Sequence, residues 1–360
     1  MDNYDKDYSE AVFSGCLGAG HSKTSPDNNY AYKDAKKGDE SHQLNIVSLA
    51  NLLTMKLPLR EEILSPWLMT QSLSMIHGWR GVGKTHTSLG VSYAVASGGE
   101  FLNWSAKKAR KVMFIDGEMP APTLQQRLAA IKASNVKQPS DGYLSFITPD
   151  LQTGAMPDLA SYSGQDIINA AIISCDAELI VIDNLSCLVR GAGRENDAES
   201  WVAVSEWALM QRQNGRSVLF IHHSGKNGQQ RGTSKREDLL DVVIGLRRTP
   251  DYDPANGACF EVHFEKARHL TGDSVNPIEA KLSMNESNLL EWHCQNVADS
   301  TYERVVSLAN EGLSQIEIAN ELDIHRSNVS RAWRNANKDG KLLLKVSSKG
   351  RNQYAKASKG

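Results

Sequence analysis

The chain has 360 residues, of which 23% are charged and 40% hydrophobic, and a formal net charge of −2. These values are typical of an ordinary soluble globular protein, and the length predicts two domains rather than one. No apolar run reaches the roughly 18 residues that a membrane span needs, so we expect none. The acidic N-terminus and five scattered cysteines, without a C-x-x-C pair, exclude a secretory signal and a disulfide framework and indicate a cytoplasmic protein.

The first segment, residues 1–43, is rich in Asp, Asn, Ser, Gly, Tyr and Lys and lacks periodic apolar positions. We therefore expect a disordered or loosely docked arm there. Apolar groups return at Leu44, where we place the start of a globular domain. This domain is predicted to cover residues 44–298, and a second unit is predicted over residues 299–360.

The most specific motif lies at residues 78–85, which read GWRGVGKT and fit the phosphate-binding pattern G-x-x-x-x-G-K-[ST]. A short apolar strand precedes it, and a helix is predicted from Lys84 to Ser97. Glycines let successive backbone N–H groups point at one anion, and the helix adds its positive end. We predict a nucleotide triphosphate site in which Lys84 contacts the β/γ-phosphates and Thr85 ligates Mg²⁺. The predicted nucleotide-binding residues are Gly78, Gly81, Val82, Gly83, Lys84, Thr85 and His86.

Strands and helices are predicted to alternate beyond this motif. Strands are predicted at residues 111–116, 143–147, 179–183, 217–222, 242–246, 260–266 and 289–292, and helices near 124–131 and at 166–174 and 198–213. The alternation favours an α/β fold with a doubly wound, mostly parallel sheet. Such sheets bind ligands at the carboxyl ends of their strands.

Three polar residues at predicted strand ends are candidates for the hydrolytic chemistry. Asp183 ends an apolar strand and suits a Mg²⁺ ligand, although a strand-end Asp can also cap a turn. Glu118 would activate the attacking water if strand 111–116 neighbours the phosphate-loop strand; the alternative is a solvated loop acid. His222 is a candidate sensor of the γ-phosphate. A zinc site is not expected, because His222 and His223 point to opposite faces of a strand.

Two basic, glycine-containing loops follow strands that end at the nucleotide side. Residues 187–200 carry Arg190 and Arg194, and residues 224–237 carry Lys226, Lys235 and Arg236. Such loops suit contacts to the backbone of single-stranded DNA, and solvated surface loops are the alternative.

The last unit is predicted to contain three short helices. Ser314 and Glu317 can form a capping box at the second helix, residues 323–325 form a tight turn, and the third helix starts at Arg326. Two short strands around residues 347–350 would form a wing. From residue 324 to 360 there are ten Lys or Arg and one acid, a net charge of +9. The pattern indicates a winged helix-turn-helix that binds duplex DNA, with a solvated tail as the alternative; the predicted base-reading residues are Arg326, Ser327, Asn328 and Arg331.

Together GWRGVGKT, the Glu of FIDGEMP, the VIDNLS strand and the strand ending at His222 resemble RecA-like P-loop ATPases. Within that group the match is closest to DnaB-type and plasmid RepA-type hexameric helicases, over roughly residues 45–295. By this resemblance Lys84 and Thr85 match the phosphate-loop pair, Glu118 the catalytic glutamate and Asp183 the Mg²⁺ aspartate. His222 matches a Gln or His sensor.

The resemblance implies a homo-hexameric ring that uses ATP and Mg²⁺, with each site completed by basic residues of a neighbouring subunit. Lys266 and Arg268 resemble a K-x-R pair that crosses the boundary, and Arg231 resembles a finger in an R-G-S-S segment. An arginine inserted from a neighbouring subunit typically raises the rate of hydrolysis by ~10³–10⁵-fold. Arg268 and Arg231 are nearly equal candidates for this role.

We expect no counterpart of the large N-terminal domain of replicative helicases, and the helix-turn-helix is an addition. The prediction is an ATPase of a plasmid, prophage or integrated element. Two functions stay open: a helicase-like DNA motor, and an ATP-switched DNA-binding regulator or recombination mediator that does not unwind DNA. A small-molecule kinase would leave the DNA-binding features without a use.

Overall fold

The computed structural model describes residues 44–190, 198–224, 237–249, 252–253, 257–343, 345–346 and 352–353. The chain divides into two compact units, Met1–Met55 and Lys56–Gly360. In the described part of the first unit, helix α1 (Leu49–Thr54) is capped by the Ser48 hydroxyl. The arm expected at residues 1–43 lies outside the described residues, and the domain limits stay predictions. No helix among the described residues is long and apolar enough to cross a membrane.

The second unit contains a large sheet, its flanking helices and a C-terminal group of helices. Its elements, in chain order, are β1 (Glu62–Leu64), β2 (Leu68–Met69), β3 (Leu73–Gly78), α2 (Lys84–Ser97), β4 (Glu100–Phe101), β5 (Trp104–Ser105), β6 (Val112–Asp116), α3 (Ala121–Ser134), β7 (Leu144–Ile147), α4 (Tyr162–Cys175), β8 (Leu179–Asp183), α5 (Leu185–Leu188), α6 (Ala198–Gln213), β9 (Ser217–His223), β10 (Val242–Arg248), β11 (Cys259–Ala267), β12 (Ile278–Met284), β13 (Leu290–Asn296), α7 (Val297–Asn310), α8 (Gln315–Glu321), α9 (Arg326–Lys338), β14 (Lys345–Val346) and β15 (Asn352–Gln353).

The nine-stranded sheet has the order β13-β12-β11-β10-β3-β9-β8-β6-β7. The strands from β10 to β7 are parallel, and β11, β12 and β13 extend the sheet in antiparallel fashion. The prediction of a mostly parallel, doubly wound sheet is therefore confirmed. The condition set for Glu118, that strand 112–116 neighbours the phosphate-loop strand, is not met, since β9 and β8 lie between β6 and β3. These two largely apolar strands take central positions, and nearly all of their side chains are buried on both faces of the sheet.

Helices cover both faces of the sheet, and alternate strand residues supply the two cores. On one face Ile76 and Val181 pack in a cluster that includes Leu89 of α2. On the other face Met75 and Ile180 belong to a cluster with residues of α4 and α6. Because successive side chains of a strand point to opposite faces, a strand buried on both sides must be apolar throughout. This explains why β8 reads LIVID.

The C-terminal helices α7, α8 and α9 pack around a small core of their own, which includes Val305, Ile318 and Trp333. The predicted capping box is confirmed: Glu317 N donates to Ser314 Oγ, and Ser314 N donates to the Glu317 carboxylate. The predicted turn at residues 347–350 lies outside the described residues, although the short pair β14–β15 that flanks it is present.

Helix α7 also connects this helical group to the sheet. The buried Ser300 hydroxyl donates to Glu279 of β12 at 2.8 Å, and Arg304 donates to the same carboxylate at 2.5 Å. A carboxylate with two such donors is satisfied in a partly buried position. The contacts fix α7 against the antiparallel end of the sheet.

Candidate active site

The loop between β3 and α2 is closely packed, and this accounts for its glycines. Gly81 and Gly83 have φ values of 75° and 113°, in the left-handed region that disfavours other residues. A Cβ on Gly83 would also lie 2.8 Å from the Phe260 ring, and one on Gly78 would lie 2.7 Å from the backbone oxygen of Leu246. Helix α2 begins at Lys84, as predicted, with Gly83 as its N-cap. The loop thus rests against β10 and β11 at the carboxyl end of β3.

Two residues from the β10 side support the loop, and sequence reasoning missed both. The Arg248 guanidinium donates to Arg80 O at 3.3 Å, and the Tyr252 hydroxyl donates to Gly81 O at 3.5 Å. Arg248 also stacks over the Tyr252 ring, 4.6 Å from its centroid. The one sequence signal is that both residues follow the strand predicted at residues 242–246, since mostly parallel sheets bind ligands at the carboxyl ends of their strands.

Lys84 is buried and folds back on its own loop. Its ammonium donates to Gly78 O and Trp79 O, both at 2.9 Å. Burial lowers the pKa of Lys84 to about 8, although the nearby Asp183 and Glu118 carboxylates oppose that shift. A lysine held in this way is positioned as a charged donor beside the loop that would receive the phosphates.

Asp183 lies at the end of β8, nine-tenths buried, and Ser88 connects it to the start of α2. The Ser88 hydroxyl is 2.7 Å from Asp183 Oδ2 and 3.1 Å from Thr85 O. Burial raises the pKa of Asp183 to about 6, and the Asp116 and Glu118 carboxylates add to the shift. The Ser88 hydroxyl thus lies within hydrogen-bonding distance of the Asp183 carboxylate and of the Thr85 backbone oxygen, which places the two predicted Mg²⁺ ligands near one another.

Glu118 is exposed and follows β6 in a turn fixed by its neighbours. The buried Asp116 carboxylate accepts from Met119 N at 2.9 Å and from the Thr148 hydroxyl at 3.3 Å. Gly117 N donates to Asp183 O at 2.8 Å. Glu118 therefore lies beside the end of β8, even though β6 is not adjacent to β3. Its charge acts on both Lys84 and Asp183.

The Cys187 thiol of α5 contacts Glu118. Its Sγ donates to Glu118 Oε2 at 3.3 Å. Burial, assisted by this hydrogen bond, raises the pKa of Cys187 to about 11, so the thiol stays protonated and remains a donor. No motif predicted this contact.

The two histidines predicted at the site are both largely shielded from solvent. His222 is buried on β9, in register with His77 of β3. His86 lies in the first turn of α2, where burial, with a smaller effect of Arg127, lowers its pKa to about 4. His86 is therefore neutral at physiological pH. It lines a cavity together with Tyr93 and Trp292, and its role in nucleotide binding stays a prediction.

The candidates for action on a neighbouring subunit contact backbone oxygens of their own chain. Lys266 donates to Glu237 O and Asp238 O, and Arg268 donates to Asp238 O at 2.6 Å. Their role across a subunit boundary stays a prediction. The predicted finger and most of the loop cations lie outside the described residues: Arg231, Arg194, Lys226, Lys235 and Arg236.

The residues predicted to contact DNA are exposed where the structure describes them. Arg190 is exposed, but its backbone N–H donates to Asp158 at 3.0 Å and its guanidinium donates to Met156 O. On α9 the buried side includes Val329 and Trp333, and the predicted base-reading residues occupy the exposed side. These are Arg326, Ser327, Asn328 and Arg331.

The donor set at the end of β8 fits Mg²⁺ that arrives with a nucleotide. Mg²⁺ is usually bound by one or two carboxylates together with waters and substrate phosphates. Asp183 and Thr85 supply one carboxylate and one hydroxyl. Among the described residues no group of three or more His, Cys, Asp or Glu could hold a metal by itself. Such a site would hold its ion with the phosphates of the substrate.

The sheet, phosphate loop and strand-end carboxylates define a RecA-like P-loop ATPase. The family model described as AAA domain matches residues 39–229, and the chain belongs to this family. No curated protein matches the sequence significantly. Among solved structures, the chain is similar to a KaiC-like protein of the hyperthermophilic archaeon Pyrococcus horikoshii OT3. The identity is 14% and the TM-score 0.44, over 62% of this chain and 90% of that chain.

Proposed function

We propose that this protein is an ATP-driven, DNA-binding motor, a hexameric helicase-like replication protein of a plasmid, prophage or integrated element. One observation carries the proposal. The side chains proposed for ATP hydrolysis share a chain with a helical group in which α9 exposes basic residues. The α7 contacts to Glu279 attach that group to the sheet, so movement of the sheet would reach the DNA-binding face.

In the proposed reaction the protein positions ATP and water. Lys84 would exchange its loop carbonyls for the β/γ-phosphates, while Thr85 and Asp183 would hold Mg²⁺. When bound, Mg²⁺ would neutralise the negative charge that develops on the phosphates. Glu118 would accept a proton from the attacking water, and the turn fixed by Asp116 holds it in place for that role.

DNA binding is assigned to α8 and α9, a helix-turn-helix with a short wing. In such modules the second helix of the pair enters the major groove, and its early residues contact base edges. Here Arg326, Asn328 and Arg331 are exposed on that part of α9, while Ser327 also contacts His325 Nδ1 at 2.7 Å. The basic tail would add contacts to the phosphate backbone.

A second candidate function is an ATP-switched DNA-binding regulator or recombination mediator that does not unwind DNA. One observation favours it: Lys266 and Arg268 already bind carbonyl oxygens of their own chain. These contacts compete with insertion of either side chain into a neighbouring subunit's site, which rapid hydrolysis by a motor would require.

A forked duplex with one labelled strand distinguishes the two candidates. The motor should release that strand with ATP and Mg²⁺, and not with a non-hydrolysable ATP analogue. Lys84→Ala should bind the duplex but release no strand, since its phosphate contact is lost. If wild-type protein hydrolyses ATP and binds the fork without releasing the strand, the regulator is supported and the motor is refuted.

A further inference from the structure

A buried histidine connects the phosphate-loop strand to two other strands of the sheet. His77 on β3 is 2% exposed, its Nδ1 is 2.9 Å from Ser224 Oγ, and its Nε2 donates to Glu265 Oε2 at 2.8 Å. Arg247 donates to the other carboxylate oxygen of Glu265 at 3.1 Å. The His77 hydrogen bond is the main reason that the pKa of Glu265 falls to about 2, and Arg247 contributes. Both ring nitrogens are thus occupied.

The local backbone is shaped to make this connection. Val243 pairs with Lys266 and Ile244 pairs with Phe264, so Glu265 is the extra residue of a β-bulge in β11. Gly245 leaves room for it, because a Cβ there would lie 2.4 Å from Glu265 Oε1. A bulge re-aims a side chain, and here it turns the carboxylate across β10 to His77. An ordinary core contact requires neither a bulge nor a glycine opposite it.

The buried network consists of His77, Ser224 and Glu265. Each of these residues directly precedes or closely follows a residue of the proposed ATPase site. His77 precedes Gly78, Glu265 precedes Lys266, and Ser224 comes two residues after His222. The Ser224 backbone N–H also donates to Gly78 O at 3.0 Å, an atom that accepts from Lys84 as well. The phosphate loop, the end of β9 and the bulged part of β11 are therefore joined through one imidazole.

We propose that His77 is a positioning residue, which holds the end of β9 and the bulged part of β11 in fixed relation to the phosphate loop. Displacement of the end of β9 would move His222 relative to the γ-phosphate of the same site, and displacement of β11 would move Lys266, a candidate for action on a neighbouring subunit's site. A misplacement of about 1 Å can cost on the order of 100-fold in rate. The inference rests on the proposed ATPase function and adds to it the residue that sets the geometry.

Two small substitutions test the role of the network. Ser224→Ala removes one partner of His77, and Glu265→Gln removes the charge of the other and keeps its shape. Ser217→Ala is the matched control, since it removes a buried serine hydroxyl with a similar bond, 3.0 Å to Met69 O, at the end of β9 opposite the nucleotide site. The measurements are kcat and KM for ATP hydrolysis, the Kd of a fluorescent ATP analogue and the thermal midpoint Tm.

We expect each network substitution to lower kcat by about 10-fold and to change the Kd by less than about 2-fold, because the phosphate loop itself is intact. The double variant should lose clearly less than the product of the two single losses, since both act through His77. Ser217→Ala should keep its kcat.

Three results would overturn the inference. One is a kcat within about 2-fold of wild type in both network variants, whatever their Tm. Another is multiplicative losses in the double variant. The third is failure of Ser224→Ala to fold, which would show that the network stabilises the fold and does not act by positioning the site. If wild-type protein does not hydrolyse ATP, the proposed function fails first, and the two failures are thereby distinguished.

Discussion

Asp183→Asn should stabilise the protein in the absence of nucleotide and Mg²⁺, and it should also remove activity. Burial holds the pKa of this carboxyl at about 6, against an ordinary value of 3.8. Each pKa unit corresponds to about 1.4 kcal/mol, so the ionised carboxylate costs the native state at most about 3 kcal/mol at pH 7. Asparagine keeps an oxygen that can accept the 2.7 Å bond from Ser88 but carries no charge.

The direction of the pH dependence follows from the raised pKa. Between about pH 4 and 6 the native state binds the proton more tightly than the unfolded state, so the wild-type protein loses this stability as the pH rises. Below this window both states are protonated, and the substitution has little effect. The gain in the free energy of unfolding for Asp183→Asn should therefore grow from near zero at pH 4 to about 1–3 kcal/mol at pH 7.

Urea unfolding of the two proteins, followed by circular dichroism at several pH values without Mg²⁺, measures this gain. Asp141→Asn is the control, because that exposed aspartate should change stability by less than about 0.5 kcal/mol. ATP hydrolysis by Asp183→Asn should fall by at least ~100-fold, since the ligand for Mg²⁺ is lost. A variant no more stable than wild type at pH 7, or a gain that does not depend on pH, would refute the reasoning.

Three further substitutions test the packing and the C-terminal helices. Gly90→Ala would place a Cβ 2.1 Å from the Phe101 ring and should cost about 1–3 kcal/mol in urea unfolding, whereas Gly154→Ala, with open space around it, should cost far less. Ser314→Ala removes the capping box and should cost α8 about 1 kcal/mol, seen as faster amide hydrogen exchange there, with DNA-free ATP hydrolysis unchanged. Arg331→Ala should weaken duplex binding by about 1–3 kcal/mol in fluorescence anisotropy; unchanged affinity would argue against α9 as the DNA-reading helix.

The phosphate loop and the apolar strands could be predicted because their signals are local. The glycines, Lys84 and the strand–loop–helix order lie within one short stretch, and LIVID shows a strand buried on both faces. The capping box is equally local, since its two residues are three apart. In these cases the residues that determine the structure are adjacent along the chain.

Strand order and cross-strand contacts could not be predicted in the same way. Nothing in the local pattern of β6 shows that β8 and β9 separate it from β3, and the strand β12 was missed altogether. The Arg248 support of the loop and the His77–Glu265 contact join residues 168 and 188 positions apart. The Glu265 bulge depends on pairing between β10 and β11, which a single sequence does not specify.

The most direct test of the account is the steady-state rate of ATP hydrolysis, measured with and without single-stranded DNA for wild type and for Glu118→Gln. We predict that DNA stimulates the wild-type rate. Glu118→Gln should bind ATP with wild-type affinity but hydrolyse it ~10²–10⁴-fold more slowly, because it loses its proton acceptor. A wild-type rate that does not respond to DNA, together with full activity in Glu118→Gln, would contradict the account.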